Sequence, residues 1–193
     1  ATAAEVAARV LTRLPTWTTP HQDWTAVEAG LRRVYRTGHR ALAAAVEHPT
    51  VERLHELRKQ SKYLWHALQL LEPAWIERDP TLGDRYHALS RLLGEDHDLA
   101  VLRAALAADP LTYGGHRALK AVFALVDRKR GDLQQRGIVL ALELYRDSPS
   151  AFTARLAEHW SAWVASPLVA GAAPVVRASP SAVKAREAST SRA

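Results

Sequence analysis

His55-Glu-Leu-Arg58-Lys59-Gln-Ser-Lys62-Tyr-Leu-Trp-His66 lies inside a segment from Val51 to Leu71 that contains neither Gly nor Pro. At about 100° per residue, Leu54, Leu57, Leu64, Trp65, Leu68 and Leu71 gather on one side of a helix. His55, Arg58, Lys59, Lys62 and His66 fall within another sector of roughly 100°. The segment therefore reads as one helix with a core stripe and a basic stripe. Thr50 supplies its N-cap and Glu72-Pro73 ends it.

Working outward, residues 3–14 form a short helix of strong helix formers stopped by Pro15, and a loop with Trp17 and Pro20 follows. A longer helix runs from Asp23, its N-cap, to Glu47, with Pro49 just beyond. Its apolar side is Val27, Leu31, Val34, Tyr35, Leu42 and Val46. Arg32, Arg33, Arg36, His39 and Arg40 share another side about 120° wide, a second basic stripe.

Downstream, a loop over 74–81 holds Pro80 and Trp75, which is expected to plug the end of a bundle, and a helix follows over 82–107. Asp109-Pro110 and Gly114-Gly115 separate it from a helix over 116–137, which continues or breaks briefly into 138–145. A sixth helix over 151–164 places Phe152, Leu156, Trp160, Trp163 and Val164 on roughly one face. No stretch alternates with period two for long. The expected fold is all-α, an antiparallel bundle of about six helices around a four-helix-bundle-like core. It occupies residues 1–165, and residues 166–193, rich in Ala, Ser, Pro and Val, are expected to be a disordered basic tail.

A chain of 193 residues with 48% hydrophobic content suits one compact domain without a second core. Its net charge of +6 and sequence pI near 10.0 favour anionic partners. Arg177, Lys184, Arg186 and Arg192 against Glu187 place +3 of that charge in the last stretch. Because cysteine is absent, disulfides, thiolate metal sites and Cys nucleophiles are excluded together. No apolar run reaches the roughly 18 residues of a membrane span, and the first residues lack a signal-peptide core. A soluble, cytoplasmic protein is expected. The lack of any Met implies a processed chain or a piece of a longer one.

Like charges at i,i+4 (Arg32/Arg36/Arg40, Arg58/Lys62) cost a helix a few tenths of a kcal/mol per pair. A merely solvated face would interleave acids, which are nearly absent from both stripes. Arg117, Lys120 and Arg128 add a basic side to the helix starting at 116. Converging stripes would form a cationic groove, with guanidinium forks suited to phosphate oxygens and Lys as point charges. His55-Glu56 does not make a helical zinc site, because Lys59 stands where the second His is needed. Gly94-Glu95-Asp96-His97-Asp98 could ligate a divalent cation or supply an acid and a base, but adjacent helical positions point different ways. Asp96 and Arg103 lie among Leu89, Leu92, Leu93, Leu99 and Leu106 on the inward face. A buried carboxylate needs a partner, and Asp96 and Asp98 are read as orienters of Arg or His from the basic stripes. Neither a GxxxxGK loop nor a Rossmann glycine pattern occurs. No metal and no cofactor is expected.

His55-x-x-Arg58-Lys59-x-x-Lys62 resembles the signature helix of the CHAD family, the conserved histidine α-helical domain. Leu93-Gly94-x-x-His97-Asp98-Leu99-Ala100-Val101 is similar to that family's acidic helix motif. Leu31-Arg-Arg-Val-Tyr-Arg36 and residues 142–152 add to the likeness, which covers most of residues 23–164. The family has Arg or Asn where this chain has His97, so Asp98 is the acid that carries over. The resemblance implies two similar helical bundles around a basic channel that binds inorganic polyphosphate, often on polyphosphate granules. This chain looks like the second bundle, which two copies could pair to complete as a homodimer. The ExExK signature of a fused triphosphate tunnel domain does not occur, so hydrolase activity does not carry over.

The leading expectation is non-enzymatic polyphosphate binding through Arg32, Arg33, Arg36, Arg40, His55, Arg58, Lys59, Lys62 and His66, with Lys120 and Arg128 flanking. A nucleic-acid or general polyanion binder is the alternative, and a metal-dependent phosphohydrolase comes third.

Overall fold

The structure is a computed structural model that describes residues 2–13, 23–75 and 79–166. The loop with Trp17 and the basic tail fall outside these residues. Seven helices appear among the described residues: α1 (Ala3–Arg13), α2 (Thr25–Glu47), α3 (Val51–Leu70), α4 (Glu72–Trp75), α5 (Leu82–Ala108), α6 (Gly115–Leu144) and α7 (Pro149–Val164). The protein is all-helical, as expected.

Local chemistry sets most boundaries. Asp23 Oδ1 accepts from the Thr25 amide at 3.0 Å and opens α2, while the Thr50 hydroxyl accepts from the Arg53 amide at 3.3 Å and opens α3. Gly114 and Gly115 take φ of 88° and 85°, a region that only glycine enters freely, and turn the chain from α5 into α6. Ser148 caps α7 by accepting from the Ala151 amide at 3.2 Å, with Pro149 in the first turn.

One expectation changes, and one open alternative resolves. Glu72-Pro73 does not lead straight into a loop but opens the short α4, whose Trp75 is buried and donates from Nε1 to the Leu68 carbonyl at 2.9 Å. The helix starting near 116 does not break at Gly137. A Cβ there would come within 3.1 Å of Leu93 Cδ2, so this glycine marks a close approach of α5 and α6 rather than an ending.

α3 packs against both α2 and α5, α6 packs along α5 and also touches α2, and α7 packs on α2 and α4. Along the α3–α5 seam Arg58 meets Gly94 while Trp65 meets His87, so the two helices run antiparallel. Every described residue of α1 is exposed. The core combines Leu31, Leu42, Leu54, Leu57, Leu64, Leu68, Leu89 and Leu93 with the buried rings of Tyr35, Tyr86, Tyr145 and Phe152.

The phenols hold the α6–α7 corner. Tyr35 and Tyr86 both donate to the Leu144 carbonyl, at 3.3 and 3.0 Å, and Tyr35 also reaches the Asp147 carbonyl at 3.1 Å. Tyr145 lies against Gly38, where a Cβ would collide with its hydroxyl. Burial pushes the Tyr145 phenol up to about 12 and raises Tyr35 and Tyr86 as well. The unfolded chain releases these protons from about pH 10, before the folded one does. The contribution to stability is therefore complete below pH 10 and declines as pH rises through about 12. Tyrosinate absorbance from these three rings should appear together with loss of far-UV helix signal. Ionisation of all five tyrosines with the helices intact would contradict this.

Candidate functional site

The side chains of α3 divide between its two flanks. On one flank Arg53 Nη1 donates to the Ala44 carbonyl of α2 at 3.0 Å. On the other, Arg58, Lys62 and Trp65 line an open groove of about 310 Å³ with His87, Ser90, Arg91, Gly94, Glu95 and Asp98 of α5.

Gly94 shapes this groove. A Cβ there would lie 3.1 Å from Arg58 Nε, so the missing side chain is what lets the guanidinium rest on α5. Arg58 Nε is buried without a hydrogen-bond partner. Among the described residues, none of Arg58, Lys62 and Arg91 forms an ion pair, and neither Glu95 nor Asp98 does. Three permanent cations thus share the groove with two carboxylates, none of them neutralised by direct contact.

His55 packs its ring against His97, with centroids 4.6 Å apart and planes tilted by 41°. Both Nδ1 atoms are buried without a partner. At the other end of the seam, Trp65 carries His87 on one side and His66 within 4.6 Å. His66 turns back to its own helix, its Nδ1 lying 3.2 Å from Gln69 Oε1.

Several of the cations singled out in the sequence lie elsewhere. Lys59 pairs with Glu56 at 2.5 Å, and Gln60 donates to the same carboxylate. The Lys59 ammonium and the Gln60 amide hold Glu56 below the usual carboxylate range, while Glu56 raises Lys59. Arg32 pairs with Glu28 and directs Nε to Thr153 of α7 at 3.3 Å. Acids are therefore interleaved in both stripes, one helical turn from their partners. Arg33, Arg36 and Arg40 are exposed on the side of α2 opposite Leu31, Gly38 and Leu42, and none of them lines the α3–α5 groove. Lys120 and Arg128 are exposed on α6, with α5 between them and α3. Among the described residues, none of these five cations lines the α3–α5 groove.

Asp96 is buried as expected, but its partner corrects the expectation. It accepts from Arg130 Nε and Gln134 Nε2 of α6, both at 2.9 Å, rather than from the basic stripes. Arg103 is half-buried, bonded to Asp127 at 2.8 Å and stacked over Phe123. Sequence reading passed over Arg91 and His87. Both lie at helical spacing from Gly94, at i−3 and i−7, and this was the signal that could have found them.

The fold and site define an all-helical bundle with a polar groove along one helix–helix seam, floored by a glycine under an arginine. The chain belongs to the CHAD domain family: a model of the CHAD domain matches residues 2–107, more than half of its length. The matched residues include α3 and nearly all of α5, hence both walls of the groove, and stop before α6. No curated protein and no solved structure matches the chain. Among the described residues no cluster of three or more His, Asp or Glu could hold a metal ion, and no helix is long and apolar enough to cross a membrane.

Proposed function

We propose that this CHAD domain binds inorganic polyphosphate without enzymatic turnover, and that the α3–α5 groove is its seat. The observation that carries this reading is Arg58, laid over Gly94 with a buried Nε that has no acceptor. A buried donor without a partner costs about 1–3 kcal/mol. A phosphate oxygen would relieve that cost with a charge-assisted hydrogen bond. Lys62 and Arg91 stand beside it, each also without a carboxylate partner among the described residues. From Arg58 to Trp65 the groove follows seven residues of helix, roughly 10 Å at 1.5 Å per residue. That length suits a row of phosphates better than a single one.

Asp98, expected to orient an Arg or His, bonds to none among the described residues and in this reading acts only as a nearby negative charge, while His55 supports the helix seam through His97. Arg33, Arg36 and Arg40 on α2, with Lys120 and Arg128 on α6, act at longer range by drawing a polyanion in. Pairing of two copies into the family's two-bundle arrangement would bring further cationic faces to one ligand. A cytoplasmic, granule-associated setting goes with the same reading.

Titration with long-chain polyphosphate should give saturable binding at low salt, with the logarithm of affinity falling linearly as the logarithm of salt rises. Absence of binding at low salt would end the proposal. DNA at equal phosphate concentration should displace it poorly; efficient displacement would make the domain a general polyanion binder. A mass measurement on the same samples separates one copy from two.

A further inference from the structure

The groove ends in stacked rings that the reading above does not use. Trp65 of α3 and His87 of α5 lie face to face, with centroids 4.3 Å and planes 3° apart. His87 is exposed and lines the groove one turn from Arg91. Neither of its ring nitrogens has a hydrogen-bond partner among the described residues. The stack occupies a face of the imidazole and leaves its nitrogen-bearing edge for a ligand.

Indole is the side chain that best attracts a cation to its face, and imidazole is the group whose charge changes between about pH 5 and 8. Arg58, Lys62 and Arg91 bring three positive charges to the groove against Glu95 and Asp98. One proton on His87 would therefore double the groove's net charge. We propose that His87, held flat on Trp65, is a proton-dependent phosphate subsite at the end of the α3–α5 groove. Affinity for a polyphosphate chain then rises as pH falls from 8 to 6. The inference rests on the reading of the groove as a polyphosphate seat.

The charged groups around His87 set the balance. From α3, Arg58 and Lys62 oppose its protonation; from α5, Arg91 opposes it, while Glu95, Asp98 and Asp84 one turn earlier favour it. Arg136 of α6 lies beyond Arg91 and is engaged by Asp132 at 3.2 Å. An arriving polyanion adds negative charge beside the imidazole and so favours its charged form. By linkage, the charged form holds the polyanion more tightly. His66 is a weaker candidate because its Nδ1 faces Gln69 on its own helix, and the His55–His97 pair does not line the groove.

The test measures affinity of the whole chain for long-chain polyphosphate at pH 6 and pH 8 and constant ionic strength, long chains being used so that end-group titration is negligible. The unaltered protein should bind roughly three- to fivefold more tightly at pH 6, the size of one exposed charge pair. His87→Phe keeps a ring on Trp65 but carries no proton. It should lose the gain at pH 6 relative to pH 8, whatever its absolute affinity. His87→Lys should restore the tighter binding at both pH values. Retention of the gain by His87→Phe would overturn the proposal and move the effect to His55, His66 or His97. PH-independent binding by the unaltered protein would overturn it too, with the groove reading intact. No binding at either pH would instead remove the groove reading itself, and this inference with it. Thermal melts of both variants confirm that each is folded.

Discussion

Replacing Arg58 and Lys62 together by Glu should lower affinity for long-chain polyphosphate at least about a hundredfold at low salt, equivalent to roughly 2.7 kcal/mol. Each lost charge-assisted hydrogen bond accounts for about 1.5–3 kcal/mol, and the introduced carboxylates add repulsion. Any loss of stability should come from Arg58, which packs on Gly94, because Lys62 is exposed and neither side chain holds an ion pair among the described residues. Calorimetry or fluorescence titration gives the affinity, and a thermal melt gives the stability. Unchanged affinity would clear the groove and direct attention to Arg33, Arg36 and Arg40 on the outer face of α2.

The second large effect is on stability. Asp96 is 1% exposed and serves as the shared acceptor for Arg130 and Gln134, so Asp96→Ala leaves a guanidinium in a half-dry seam without its anion. Breaking a buried pair from one side costs about 3–5 kcal/mol. The Arg130 side chain keeps 16% exposure and can lift its head toward water, which favours the lower end of that range. About 3 kcal/mol corresponds to a fall of roughly 6–12 °C in the melting temperature of a protein this size. Asp96→Leu combined with Arg130→Met should regain much of the loss, since an apolar replacement strands neither charge. A double variant no more stable than Asp96→Ala would show that the pair is not the cause.

What could be read in the chain beforehand was mostly local. Thr50, Asp23, Pro149 and the Gly114-Gly115 turn act within one helical turn of themselves, and the structure has helices beginning or ending where these residues stand. The two-faced character of α3 was equally legible, because period 3.6 separates Leu57 and Leu64 from Arg58 and Lys62 without reference to any other element. What escaped depends on which helix lies beside which. Arg130 finds Asp96 across 34 positions, and Trp65 finds His87 only once α3 and α5 run antiparallel. The basic stripe of α2 looked equivalent to that of α3, yet one faces outward and the other a neighbouring helix. Pairing at i,i+3 and i,i+4 could have been weighed more heavily, since Glu28 and Glu56 stood within reach of Arg32 and Lys59 in the bare sequence.

The bridge from Asp96 to Arg130 also bears on the order in which the molecule matures. A chain made from its N-terminus delivers α3 and α5 before α6. Until α6 is made, Asp96 has neither Arg130 nor Gln134 to donate to it. Only when residues 130–134 arrive does that carboxylate gain the two donors it has in the folded protein. Arg58 and Gly94, which shape the groove, are synthesised before Arg130 and Gln134, which satisfy the carboxylate behind it. The residues that grip the ligand are translated first, and those that stiffen the grip come last.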